Sequence, residues 1–231
     1  MTATGIFVAG TDTGVGKTHV AVALLRGLAQ EGVRAAAMKP VAAGIGPGQA
    51  IHPDVEALLA AAGVGEELAD ANPYAFAPAI APHVAAARAG VAIDVGRIAA
   101  AYARLAARAD AVVVEGAGGV LVPLGDRADM LDIPAALGLP VLLVVGVRLG
   151  CINHALLSGL AIQARGLRLA GWVANRFDPA MAEAEASVEA LDQRLPAPRW
   201  ADLRWRTGGD PLPVIGSARR LLEGSGNGRF G

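Results

Sequence analysis

"GTDTGVGKT", residues 10–18, follows the apolar run "IFVAG" (6–10) and leads into a stretch where Val20, Leu24 and Leu28 recur four apart. A strand, a glycine-rich turn and a helix with Gly-Lys-Thr at the joint form the context that a phosphate-binding loop needs. Backbone N–H groups at a helix N-terminus cradle anionic oxygens, Lys17 reaches β/γ-phosphates and Thr18 can hold Mg²⁺. Thr13, Gly14, Val15 and Gly16 complete the loop. Five residues separate Gly10 from Gly16, one more than in the common form, and Thr11 stands where the first glycine is usual.

Outward from this loop, strand-like and helix-like runs alternate. "RAAAMKP" (34–40) reads as the next strand, stopped by Pro40 and expected beside the first. Val55, Leu58, Leu59 and Ala62 fit a short helix after Pro53, and Pro73, Pro78 and Pro82 punctuate a loop. Asp94 then has the place of an N-cap for a helix through Ile98, Tyr102 and Leu105. "AVVVEGAGG" (111–119), "PVLLVVGV" (140–147) and "LAGWVAN" (169–175) are apolar on both faces, as strands of a buried parallel sheet are. Helices are expected between them at about 130–138, 151–165 and 179–194. The pattern predicts an α/β fold: one doubly wound, mostly parallel sheet with helices on both faces, P-loop NTPase-like. One domain over 1–223 and a flexible Gly-rich tail over 224–231 are expected.

The 231 residues are 54% apolar and 18% charged, with a net charge of −1. No basic stripe is available for nucleic acid or an acidic membrane surface, and aromatics at 4% leave little for base stacking. The single cysteine, Cys151, fits a reducing compartment. No apolar run reaches the roughly 18 residues of a membrane span. With no secretory pattern at the start, a cytoplasmic protein is expected.

Twenty cationic residues include two lysines, Lys17 and Lys39. A lysine kept at a strand end in a chain that otherwise uses arginine marks a site needing a compact ammonium, since a forked guanidinium fits poorly between two close anions. Glu115 ends "AVVVE" on the same ligand-binding edge, where it could hold Mg²⁺ directly or through water. Gly116 and Gly118 beyond it allow close backbone approach. Asp54 suits either that metal or the N-terminus of its own helix. "GCINHA" (150–155) starts a helix whose free N–H groups at Gly150 and Cys151 would suit a carboxylate, with Asn153 an adaptable contact. Cys151 itself reads as a small buried residue rather than a nucleophile, and His154 takes no role. Asn175 either reads a purine edge or ends its strand in a turn.

"GTDTGVGKT", "KPVAAG", "NPYAF", "APHVAA", "VEGAGG", "PVLLVVGVRLGCINHA" and "LAGWVAN" together resemble dethiobiotin synthetase, over about residues 5–200. The resemblance implies a P-loop homodimer that converts 7,8-diaminononanoate, CO₂ and ATP to dethiobiotin, ADP and phosphate. By that likeness Lys17, Thr13 and the loop amides hold the phosphates, and Thr18, Asp54 and Glu115 serve Mg²⁺. Lys39 neutralises a carbamate and the γ-phosphate as they meet, and Gly118 lies against the substrate. Gly150, Cys151 and Asn153 of the other subunit take the substrate carboxylate, and Asn175 faces adenine. Gly14 stands where the family often has an acid, Ala43 where a Ser or Thr is usual, and Ser187 where some members have a Tyr. "RWADLRW" (199–205) does not match the usual base-binding segment.

Two other classes share the loop. Partitioning ATPases, which bind partners and make no product, carry a lysine five residues before the P-loop lysine, where this chain has Asp12. Cobyrinate-type amide ligases add a glutaminase domain, for which 231 residues are expected to leave no room.

Overall fold

β1 (Thr4–Gly10) is buried from Gly5 onward, and its side chains divide by alternation. Ile6 and Val8 enter one core, Phe7 and Ala9 the other. The strand therefore lies inside a sheet covered on both faces. The computed structural model describes residues 4–176, 178–204, 215 and 218–223.

After β1 come α1 (Lys17–Gln30), β2 (Ala35–Met38), β3 (Val41–Ala43), α2 (Pro53–Ala61), α3 (Leu68–Ala71) and β4 (Tyr74–Phe76). Then follow α4 (Pro82–Arg88), α5 (Val95–Ala106), β5 (Ala111–Glu115), α6 (Asp132–Leu137), β6 (Val141–Gly146) and α7 (Cys151–Ala164). β7 (Leu169–Asn175), α8 (Ala184–Arg194), β8 (Arg199–Leu203) and α9 (Ala218–Glu223) complete the described chain. Asp94 caps α5 as expected, its Oδ1 accepting from the Gly96 N–H at 2.7 Å.

The six-stranded sheet has the order β2-β5-β1-β6-β7-β8, and every pairing in it is parallel. The expected doubly wound fold is thus present. One detail differs: β2 does not lie beside β1, because β5 is inserted between them. Apolar pattern marks a strand as interior but carries no information on which neighbour it takes. Leu24, Leu25 and Leu28 of α1 close one face with Ile6, Val8, Leu142 and Val144. Ile98 and Leu105 of α5, Ile162 of α7 and Trp172 of β7 close the other. Each large side chain so buried contributes about 1.5–3 kcal/mol relative to exposure.

β3 and β4 pair in parallel as a separate two-stranded sheet, where sequence reading expected only a proline-punctuated loop. β8 adds to the far edge of the main sheet from "RWADL", also unanticipated. α8 begins at Ala184 rather than near 179. The outer edge of β2 is covered by the segment over 63–71: the Gly63 N–H donates to the Ala35 carbonyl, the Ala37 N–H to Glu66 Oε1 and the Lys39 N–H to the carbonyl of Ala71 at the end of α3. The expected tail, 224–231, lies outside the described residues. Among the described residues no helix is long and apolar enough to cross a membrane.

Candidate active site

The phosphate loop joins β1 to α1, and Gly16 at the N-cap of α1 has φ 88° and ψ 30°, left-handed values that favour glycine. Space also demands glycine there, since an added Cβ would stand 2.1 Å from Asn175 Nδ2. That amide donates to the Val15 carbonyl at 2.8 Å, so the end of β7 braces the loop from beneath. Asn175 is buried, and its nitrogen has a loop partner that sequence reading did not anticipate.

A cleft of about 820 Å³ opens along the carboxyl edge of the central strands. Its walls include Thr13, Gly14, Gly16, Lys17, Thr18, Lys39, Asp54, Glu115 and Gly118, most of the residues singled out in sequence. Val15 is buried within the loop, and Gly116 lies outside the cleft wall, packed so that an added Cβ would meet the Phe7 ring at 2.8 Å. His52, Ile80, Pro82 and Val122 line the cleft without having been anticipated; Ala43, noted in the sequence for its missing hydroxyl, lines it too. The missing signal is physical: loop residues converge here by tertiary folding, without any local period.

Lys39 and Glu115 are the buried pair at the centre, 4% and 0% exposed. The Lys39 ammonium donates to Glu115 Oε1 and, at 2.7 Å, to Asp54 Oδ2. Thr18 Oγ1 donates to the same Glu115 oxygen at 2.9 Å. Glu115 Oε2 is buried without a protein hydrogen-bond partner. Asp54 is held at the start of α2, its N–H donating to His52 Nδ1 at 3.1 Å. Lys17 Nζ donates to the carbonyls of Asp12 at 2.9 Å and Gly118 at 2.8 Å.

Burial is the largest influence on Lys17 and, with the Lys39 charge, brings its pKa down to about 8, against the pull of Glu115, Asp54 and Asp12. Burial also opposes the charge on Lys39, but Glu115 and Asp54 outweigh it and hold its pKa above the ordinary lysine value. Burial alone would raise Asp54, yet Lys39 pulls its carboxyl below the usual range. Burial pushes Glu115 up, with Lys39 opposing and Asp54 adding to the rise.

The donors fit a hard cation. Glu115 offers an unpartnered buried oxygen, with Thr18 and Asp54 beside it. Among the described residues no three or more His, Cys, Asp or Glu side chains converge as a full cage. Mg²⁺ needs none, since it binds through one or two carboxylates plus substrate phosphates and waters.

Gly150, Cys151 and Asn153 are not brought to this cleft. Gly150 caps α7, Cys151 is buried, and Asn153 is exposed. The exposed leucines Leu149, Leu157 and Leu160 lie at the start of and along the same helix. Ser187 hydrogen-bonds within α8, its hydroxyl donating to the Glu183 carbonyl at 3.3 Å. Asp12, where partitioning ATPases have lysine, accepts from the Thr13 N–H at 2.7 Å and pairs with Arg148.

A family model described as an AAA domain matches residues 4–211. The ATP-dependent dethiobiotin synthetase BioD of Aromatoleum aromaticum is 52% identical over 215 residues, covering 92% of this chain and 96% of that protein. The enzyme of the same name from Nitrosospira multiformis is 56% identical over 194 residues, covering 84% of this chain and 85% of its own. Among solved structures, the MinC:MinD cell division complex of Aquifex aeolicus aligns with TM-score 0.63 at 18% identity, over 99% of this chain and 100% of that one. A ParA family ATPase from Chlorobium tepidum aligns with TM-score 0.52 at 12% identity, over 89% of this chain and 85% of its own. These structural likenesses concern the fold.

Proposed function

The chain belongs to the ATP-dependent dethiobiotin synthetase family of P-loop ligases, and from that premise we propose that it converts 7,8-diaminononanoate, CO₂ and ATP to dethiobiotin, ADP and phosphate. The observation that carries this reading is Lys39, a buried ammonium set between Asp54 and Glu115 beside the phosphate loop. A nucleotide switch has no need of a second lysine at that point. A reaction in which two anions must approach one another does.

In the proposed sequence one substrate amine adds to CO₂ and loses a proton, giving a carbamate. A carbamate oxygen attacks the γ-phosphorus and ADP leaves, forming a carbamic–phosphoric anhydride. The second amine then attacks the carbonyl carbon, phosphate departs, and the ureido ring closes with loss of a proton. Little covalent work falls to the protein, so positioning and charge neutralisation carry catalysis. Lys17, Thr13 and the loop amides hold the phosphates, and Lys39 neutralises carbamate and γ-phosphate as they meet. Thr18, Asp54 and Glu115 would hold Mg²⁺, which supplies charge neutralisation at the phosphate oxygens. Gly118 shapes the wall beside the reacting groups, Gly116 lets the chain after Glu115 pack closely on Phe7, and Asn175 serves the adenine end.

We further propose a homodimer in which Gly150, Cys151 and Asn153 of one subunit receive the substrate carboxylate of the other. Their separation from the cleft within one chain supports this, as do the leucines exposed along α7. The proposal places the enzyme in the cytoplasm, acting on small molecules without nucleic acid or membrane. The decisive assay follows ADP release with and without diaminononanoate and bicarbonate, with dethiobiotin identified by mass. Hydrolysis indifferent to the diamine would instead support a nucleotide switch.

A further inference from the structure

At Lys39 the chain leaves one sheet for another. β2 ends at Met38, paired with β5, and β3 starts at Val41, paired with β4. Pro40, lying between, has no N–H to give to either ladder. The Lys39 main chain is therefore carried by other groups. Its N–H donates to the Ala71 carbonyl at 2.7 Å, and its carbonyl accepts from Asn72 Nδ2 at 2.6 Å. The same Nδ2 donates at 3.1 Å to the carbonyl of Tyr74, at the start of β4. Asn72 is 8% exposed, so both bonds are shielded from competing water.

We propose that Asn72 is a positioning residue for Lys39, an inference that rests on the catalytic role assigned to Lys39 above. One short side chain supplies two N–H donors to two carbonyls, one on each side of the crossover between the sheets. It fixes the Lys39 backbone where no strand neighbour can, and so sets where the ammonium stands between Asp54 and Glu115. Serine offers one donor, aspartate offers acceptors to acceptors, and alanine leaves the buried Lys39 carbonyl unpaired. A shift of about 1 Å in a charge that must meet two reacting anions costs on the order of 10²-fold.

The chain's two lysines make the test direct. Full-length protein grown with ε-¹³C-lysine carries one label at Lys17 and one at Lys39, assigned with the two Lys→Arg variants. Asn72→Ala and Asn72→Asp are expected to move the Lys39 resonance and leave that of Lys17 in place. They should also lower kcat at least tenfold, with nucleotide Kd changed less than about threefold. In a Lys39→Ala background, Asn72→Ala should change the residual rate less than about twofold, because both losses act through one group. An unmoved Lys39 resonance, or losses that multiply in the double variant, overturns the inference. If Asn72→Ala does not fold, Asn72→Ser is read by the same resonance, with a smaller displacement expected. Wild-type protein lacking diamine-dependent turnover would instead overturn the functional reading, while the resonance still decides whether Asn72 sets Lys39.

Discussion

Lys17 Nζ donates to the Gly118 carbonyl across 2.8 Å, so one ammonium joins the phosphate loop to the loop that follows β5. It does so from a buried position that brings its pKa down to about 8, burial being the largest cause and Lys39 the next. Binding a phosphate chain favours the charged form and raises that pKa. Nucleotide binding is therefore expected to take up protons as pH rises toward 8, with uptake near half a proton at about pH 8 if the bound pKa is well above it. Calorimetry in buffers of different ionisation enthalpy measures this, and uptake that persists in Lys17→Met would assign it elsewhere.

Lys39→Arg keeps the charge and changes its shape. The wider guanidinium must enter a gap now filled by one ammonium between two carboxylates. We expect kcat to fall at least tenfold, as misplacement of reacting groups costs about 10² per Å. Nucleotide Kd should stay nearly constant, because Lys17 and the loop amides are untouched. Wild-type kcat in this variant would remove Lys39 from the chemistry.

Glu115→Gln replaces the buried carboxylate, one of whose oxygens lacks a protein partner, with a weaker ligand for a hard cation. The Mg²⁺ concentration for half-maximal rate should rise severalfold. An unchanged Mg²⁺ titration would place the metal away from this side chain.

Glu66 presents a pH dependence separate from the cleft. Burial pushes its carboxyl up to about 7, against the Ala37 N–H it accepts and the nearby Arg108 charge. A folded-state pKa above the unfolded value gives stability that is full below about pH 4.5 and lost as pH rises through about 7. Glu66→Gln cannot titrate. The stability of the wild type relative to this variant should therefore decline by about 1–2 kcal/mol between roughly pH 5 and 8, after allowance for partial exposure. Parallel melting profiles would show that Glu66 does not titrate in this window.

Mixing the Lys39→Ala and Asn153→Ala variants, each expected to retain only a small residual rate, tests the shared site. Heterodimers should recover part of the activity, since one of their two sites would then contain neither substitution. No recovery in dimers shown to exchange subunits would mean that each chain builds its own site.

The central sheet was legible because its strands are apolar on both faces, and the phosphate loop because Gly-Lys-Thr sits between a strand and a helical period. Thr18, Lys39, Asp54 and Glu115 could be anticipated to share one edge, since strand ends and helix starts meet there in such folds. The neighbour of β2 could not, because apolar alternation sets which faces are buried and leaves lateral order free. β3 and β4, three residues each, are too short to show a period between prolines. Asn72 and the Asp12–Arg148 pair were hidden for a related reason: their partners are distant in sequence, and their contacts exist only after folding.

The covered flank of β2 also bears on how the protein behaves in a crowded solution. An edge strand of sequence Ala-Ala-Ala-Met would offer a flat, apolar row of amides and carbonyls to any extended segment nearby. Here the Ala35 carbonyl and the Ala37 and Lys39 N–H groups already have partners in Gly63, Glu66 and the last residue of α3, Ala71. The Ala71 carbonyl, which holds the Lys39 main chain, therefore also helps to guard against fibril-like recruitment on this side. Loosening the segment over 63–71, which includes α3, should expose a seed for aggregation before it exposes the core.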